Sequence, residues 1–253
     1  MLVVISIIGL LAAIAIPTLN SLKPNPVVAA TRQLLDDVGR ARQLAISQRT
    51  TVYMVFISTN FWSDTASSRW SAADQAMAAS LYDKQLTGYT FVSLRSLGDQ
   101  PGQGMPRYLA GWRILPQGAY IAQEKFGLRD PNNPVLNIFT NGNPQPAFSV
   151  LGFNVTNSIP FPFETNKASP FIPLPYVAFN GLGQCISAQN GQPELLPLSQ
   201  GSLLFQRDPN TKTALAGIPQ VIETPRGNTT NNYSLVSIDA LTGRAHIEYK
   251  QVQ

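Results

Sequence analysis

Lys23 is the first ionisable side chain in this sequence. Ahead of it, Leu2 to Ile16 reads LVVISIIGLLAAIAI and is apolar apart from Ser6 and Gly9. As a helix, these 15 residues span about 22 Å, short of the roughly 30 Å hydrocarbon core of a bilayer, and continuation to Leu22 brings the helix closer to spanning. A buried core helix is a poor fit at the extreme terminus, because the run has no polar face. A secretory signal peptide is also a poor fit. Ala13-Ile14-Ala15 could serve as its cleavage site, but no basic residue precedes the apolar stretch. The reading that remains is a membrane helix whose first residues lie ahead of Met1.

Beyond that run the chain has a different character. Only 13% of its 253 residues are charged, about half the usual share, and the formal net charge is +4. This excludes a charged helical rod and a highly charged disordered tail. The 44% hydrophobic fraction is ample for a core, and 18 Gly and 20 Pro cut it into short pieces, which favours strands. A β-rich body follows. With Cys185 the single cysteine and His246 the single histidine, neither a disulfide framework within the chain nor a Cys- or His-rich metal site can form. No cofactor and no metal is expected.

Pro17, Pro24 and Pro26 interrupt the helix after the apolar run, since each lacks an amide donor and crowds the preceding turn. The spacing then predicts a second helix from about Val28 to Ser47. Val27, Thr31, Leu34, Val38, Ala41 and Ala45 recur at steps of four and three and form an apolar stripe. Arg32, Asp36, Asp37, Arg40 and Arg42 fall mostly outside it, which predicts a solvated charged face.

Several segments resemble a known family. The N-terminal run ending in Ile14-Ala15-Ile16-Pro17 is similar to the first helix of type IV pilins and type II secretion pseudopilins. In that family a basic leader is removed by prepilin peptidase, the new N-terminus is methylated, and a glutamate precedes the apolar stretch. These features would all lie ahead of Met1. Ala41 to Ile46 (ARQLAI), followed by Thr51 to Phe56 (TVYMVF), resembles the GspH/FimT group of minor pseudopilins and minor pilins, where a helix leads directly into the first strand. Trp112 to Ile121 (WRILPQGAYI), Tyr176 to Gly183 (YVAFNGLG) and Ser237 to Ile247 (SIDALTGRAHI) resemble later strands and turns of that group, in the same order.

The resemblance implies an α+β, type IV pilin-like fold. A long N-terminal hydrophobic helix, kinked at Pro17, would be followed by an amphipathic helix packed on an antiparallel β-sheet or β-sandwich head. Residues 1–22 would be the transmembrane and filament-core helix, 23–50 the stalk helix, and 51–253 a periplasmic head with insertions at about 59–88 and 131–175. Within the first insertion, Ser71 to Tyr82 is expected to form a short helix. The second, rich in Pro and Asn, shows no sustained period and is expected to be irregular.

Leu2, Val3, Val4, Ile5, Ile7, Ile8, Leu10, Leu11, Ile14, Ile16 and Pro17 would then serve both bilayer and filament core. The implied role is that of a structural subunit, not an enzyme, acting in filament assembly or at the tip and in protein secretion. It would be a single-pass protein of the bacterial inner membrane with its C-terminal head in the periplasm. Its partners would be other pilins or pseudopilins, the inner-membrane assembly platform, membrane lipid and secreted cargo.

Two other classes stay open. Some FimT-type pilins capture DNA through basic residues near the C-terminus, in a Gly-Arg-x-Arg pattern. Here the sequence is Gly243-Arg244-Ala245-His246, which leaves Arg244 and Lys250 as candidate phosphate contacts. The local charge from Arg226 to Gln253 is only +1, a weak base for binding that rests on phosphate neutralisation. A membrane-tethered or secreted β-domain hydrolase would need Cys185 or an acidic pair, and no Gly-x-Ser-x-Gly elbow is present. Gly181-Leu-Gly183 reads as a hairpin turn, and the segments at Asp130 and Asp208 read as turns closed by their own side chains.

Overall fold

A single amphipathic helix organises the molecule. The computed structural model describes residues 25–95, 98–100, 104–139, 144–162, 171–189 and 191–249. The apolar run from Leu2 to Pro17 and Lys250 lie outside the described residues. Helix α1 spans Pro26–Gln48. Asn25 caps it by accepting a hydrogen bond from the Val27 N–H at 2.9 Å, and Pro26 occupies the first turn, where no intrahelical donor is needed. Pro26 therefore opens this helix. All six residues of the expected stripe, Val27 through Ala45, are buried.

Two charged residues depart from the expected solvated face. Asp37 is buried and Arg42 is half-buried, because each has partners reaching in from elsewhere in the fold. Among the described residues no helix is long and apolar enough to cross a membrane.

The strands, in chain order, begin with β1 (Val52–Phe56), β2 (Gly88–Ser93), β3 (Arg107–Tyr108), β4 (Arg113–Ile114) and β5 (Ala119–Ile121). There follow β6 (Leu136–Phe139), β7 (Pro146–Val150), β8 (Ser158–Pro160), β9 (Phe171–Pro173) and β10 (Tyr176–Phe179). The last four are β11 (Glu194–Leu204), β12 (Gln220–Glu223), β13 (Ser234–Ile238) and β14 (Ala245–Tyr249).

One sheet has the order β10-β1-β2-β3, with β4 also on β2, and the other has the order β12-β11-β13-β14, with β5 on β11. The ladders are antiparallel, so the chain is α+β with antiparallel sheets. The Leu-Pro-x-Gly turn carries the chain from β4 on the first sheet to β5 on the second.

Helix α1 lies against both sheets, touching β1 and β10 of the first and β5, β11, β13 and β14 of the second. Leu34, Val38 and Ala41 pack there with Met54, Phe56, Phe91, Val177, Leu196 and Val236. Each large aliphatic side chain buried in this way contributes about 1.5–3 kcal/mol.

Strand periodicity sends Val52, Met54 and Phe56 toward α1 and Val55 to the opposite face. That opposite face is not left to solvent. The first insertion folds over it as short 3₁₀ turns at Phe61–Ser63 and Thr65–Arg69 and a helix, α2 (Ala72–Ala79). Helix α2 starts at the expected Ser71, which forms a reciprocal capping box with Asp74. Phe61, Trp70 and Leu81, joined by Ile159, Phe161 and Ile172 of the β8–β9 hairpin, pack on Val55, Val92 and Ala178. Gly88, expected at the end of the insertion, is the first residue of β2.

The expectation of an irregular 131–175 is corrected. The β6–β7 and β8–β9 hairpins lie within it, and in β6–β7 the buried Ile138 and Val150 cover Leu195 and Leu235 of the second sheet. Its strands have three to five residues, and β7 opens on a proline, so the segment has too few alternations to show a period.

Candidate functional site

Three of the segments that carry the family resemblance, Ala41–Ile46, Tyr176–Gly183 and Ser237–Ile247, lie far apart in the chain and meet at one point. Arg42, in the penultimate turn of α1, donates its Nε–H to the Thr242 carbonyl at 2.8 Å and to the Gly183 carbonyl at 3.2 Å. The first acceptor belongs to the turn between β13 and β14, and the second to the turn after β10.

Each turn is built by its own side chain. Asn180 Oδ1 accepts from the Leu182 and Gln184 N–H groups at 3.0 and 2.9 Å. Asp239 Oδ1 accepts from the Thr242 N–H at 2.7 Å and its hydroxyl at 2.8 Å. These bonds from Thr242 stabilise the ionised form and hold the Asp239 carboxyl below its ordinary range.

The turns also bond to each other, with the Cys185 N–H donating to the Ala240 carbonyl at 3.0 Å. Gly243 has φ of +61°, and a Cβ placed on it would stand 2.0 Å from the Gly183 carbonyl oxygen, so this close approach needs glycine. At the turn tips Leu182 and Leu241 are exposed, as is Arg244.

The single cysteine and the single histidine are engaged separately. Cys185 is buried, its Sγ 3.4 Å from Ser187 Oγ, and burial pushes its thiol up, away from the thiolate form. His246 is exposed on β14 opposite Ser237, with Nε2 3.0 Å from Glu248 Oε1. Asp130 and Asp208 close turns on backbone N–H groups of Asn132, and of Asn210 and Thr211. Among the described residues no group of His, Cys, Asp or Glu is arranged to hold a metal ion.

Two polar clusters were not legible in the sequence. Asp37 accepts from Tyr89 Oη at 2.5 Å and pairs with Arg113 Nε at 3.0 Å, while Gln33 donates to Tyr89 Oη at 2.7 Å. Burial, reinforced by the Asp37 carboxylate, pushes the Tyr89 phenol far up.

Deeper in the head, Lys125 is fully buried and donates to Glu194 and to the Leu151 carbonyl. Arg129 bonds the same carboxylate at 3.1 Å and also reaches the Gly152 and Ser187 carbonyls. Desolvation pulls the Lys125 pKa down, and Glu194 opposes that shift. Lys125 and Glu194 are 69 residues apart, so no spacing rule could have paired them.

No known protein family, curated protein or solved structure matches the chain.

Proposed function

We propose that this chain is a minor pseudopilin-type subunit of a type II secretion system or related type IV filament, anchored in the inner membrane with its α+β head in the periplasm. The observation that carries the reading is the Arg42 junction. The Ala41–Ile46, Tyr176–Gly183 and Ser237–Ile247 segments, which resemble the GspH/FimT group one by one, meet around a single guanidinium. Chance matches scattered along a chain have no reason to converge. Support also comes from α1, which begins within ten residues of the apolar run and lies on both sheets, as a stalk helix entering a pilin-like head would.

The physical logic is two-stage. The apolar run rests in lipid as a monomer, and extraction exchanges lipid contacts for neighbouring helices in a filament core. Val, Ile, Leu and Ala suit both surroundings, because neither asks for a polar group. The role is mechanical, and the buried Cys185 thiol agrees with a head that offers no activated nucleophile there.

Fractionation of the organism that encodes the chain tests the proposal. The protein should sediment with inner membranes and be recovered in sheared filament preparations with other pilin-like subunits. Recovery in the soluble cytoplasmic fraction would sink it.

A further inference from the structure

The insertion that covers the first sheet also forms an open cleft of about 280 Å³, lined by Trp62, Ser67, Trp70, Gln75 and Tyr82. Trp62 and Tyr82 are half-buried, with ring planes at 79° and centroids 5.5 Å apart, so they make two adjoining aromatic walls. Trp70 is 7% exposed, and its indole N–H has no hydrogen-bond partner among the described residues. That nitrogen is itself shielded from solvent, so it offers no accessible donor to a ligand in the cleft, and the recognition rests on the aromatic walls and the polar rim.

The polar rim is specific too. Ser67 Oγ gives its proton to the Trp62 carbonyl at 2.8 Å, which leaves the oxygen free to accept. Gln75 is exposed and donates to the Trp70 carbonyl at 3.3 Å, leaving its amide oxygen to accept.

We propose that this cleft binds a neutral, β-linked oligosaccharide through one pyranose ring. A ring with equatorial substituents presents a flat C–H face to an aromatic wall and hydroxyls at its edge. Those hydroxyls donate to Ser67 Oγ and Gln75 Oε1. Among the described residues no ionised side chain lines the cleft, so these residues offer an anionic ligand no counter-charge. A polyproline segment also suits aromatic grooves, but it brings only carbonyl acceptors and leaves the two acceptors of this rim unused. A methylated ammonium group leaves them unused as well. The open mouth lets the rest of a sugar chain continue into solvent. The proposal stands apart from the filament reading, since it rests on the insertion alone.

The test is isothermal titration of the full chain in detergent with cellotetraose, chitotetraose and, as the competing class, hexaproline. Saturable binding of at least one of the two oligosaccharides is expected. Trp62→Ala and Tyr82→Ala should each weaken it at least tenfold, and Gln75→Ala, at an exposed position that leaves folding intact, severalfold. Tyr82→Phe should retain it, because the ring supplies the wall. The proposal is overturned if neither oligosaccharide binds, if hexaproline binds instead, or if binding survives both Trp62→Ala and Gln75→Ala with far-UV circular dichroism unchanged.

Discussion

Arg42 Nε lies 2.8 Å from the carbonyl oxygen of Thr242, 200 residues further along the chain, and shares the same N–H with Gly183. One side chain thus ties α1 to the turn that follows β10 and to the turn that joins β13 to β14. Arg42→Ala should cost about 1–2 kcal/mol in urea unfolding, in line with loss of hydrogen bonds from a charged donor. Arg42→Lys should recover little of this, because an ammonium cannot reproduce the direction of the Nε–H. Equal stability of all three proteins would show that the junction is incidental.

The Glu194 cluster makes an asymmetric prediction. Removing Lys125 leaves Glu194 with Arg129, whereas removing Glu194 leaves two cations facing each other in the interior. Glu194→Leu should therefore destabilise by about 3–5 kcal/mol, the range for breaking a buried ion pair, and Lys125→Met by clearly less. Chemical denaturation of the two variants checks the order, and the reverse order would contradict the assignment of Glu194 as the shared partner.

Acid should loosen the β13–β14 turn. The Asp239 carboxyl is held below its ordinary value of 3.8 by its bonds from Thr242. A carboxyl depressed in the folded state stabilises above its unfolded value, and that contribution is lost as pH falls through the folded value. The gap in urea midpoint between the wild-type protein and Asp239→Asn should be full at pH 6 and close below pH ~3.8 as Asp239 takes up its proton. A gap that does not change with pH would mean that the charge contributes nothing to the turn. Asp208, depressed in the same way by Thr211 and Asn210, keeps some acid sensitivity in both proteins.

The parts of the fold that were legible in the sequence are those with a period or a local partner. Val27 to Ala45 announced the buried face of α1 because helical spacing alone sets it, and Ser71 announced the start of α2 because its cap reaches only to Asp74. The strand pair around Thr242-Gly243-Arg244 was expected only from the resemblance of Ser237 to Ile247 to a family segment.

Asp37 was not, because its burial is decided by Tyr89 and Arg113, each more than fifty positions away. Lys125, Arg129 and Glu194 were hidden for the same reason. The β6–β7 and β8–β9 hairpins escaped because their strands are too short to alternate visibly. The walls of the aromatic cleft could be read as Trp and Tyr in an insertion, but only the folded 3₁₀ turns and α2 bring Trp62, Trp70 and Tyr82 to one place.

The central claim is that the N-terminal apolar run moves between a bilayer and a core of like helices. Site-specific photo-crosslinking tests it most directly, with a benzophenone amino acid placed at Leu10 or Ile14 in the encoding organism while its secretion or pilus genes are active. The account predicts covalent adducts with other pilin-like subunits that vanish when the assembly ATPase is disabled, leaving the chain membrane-bound. No protein adduct in either state, with the chain recovered from the soluble fraction, would contradict it.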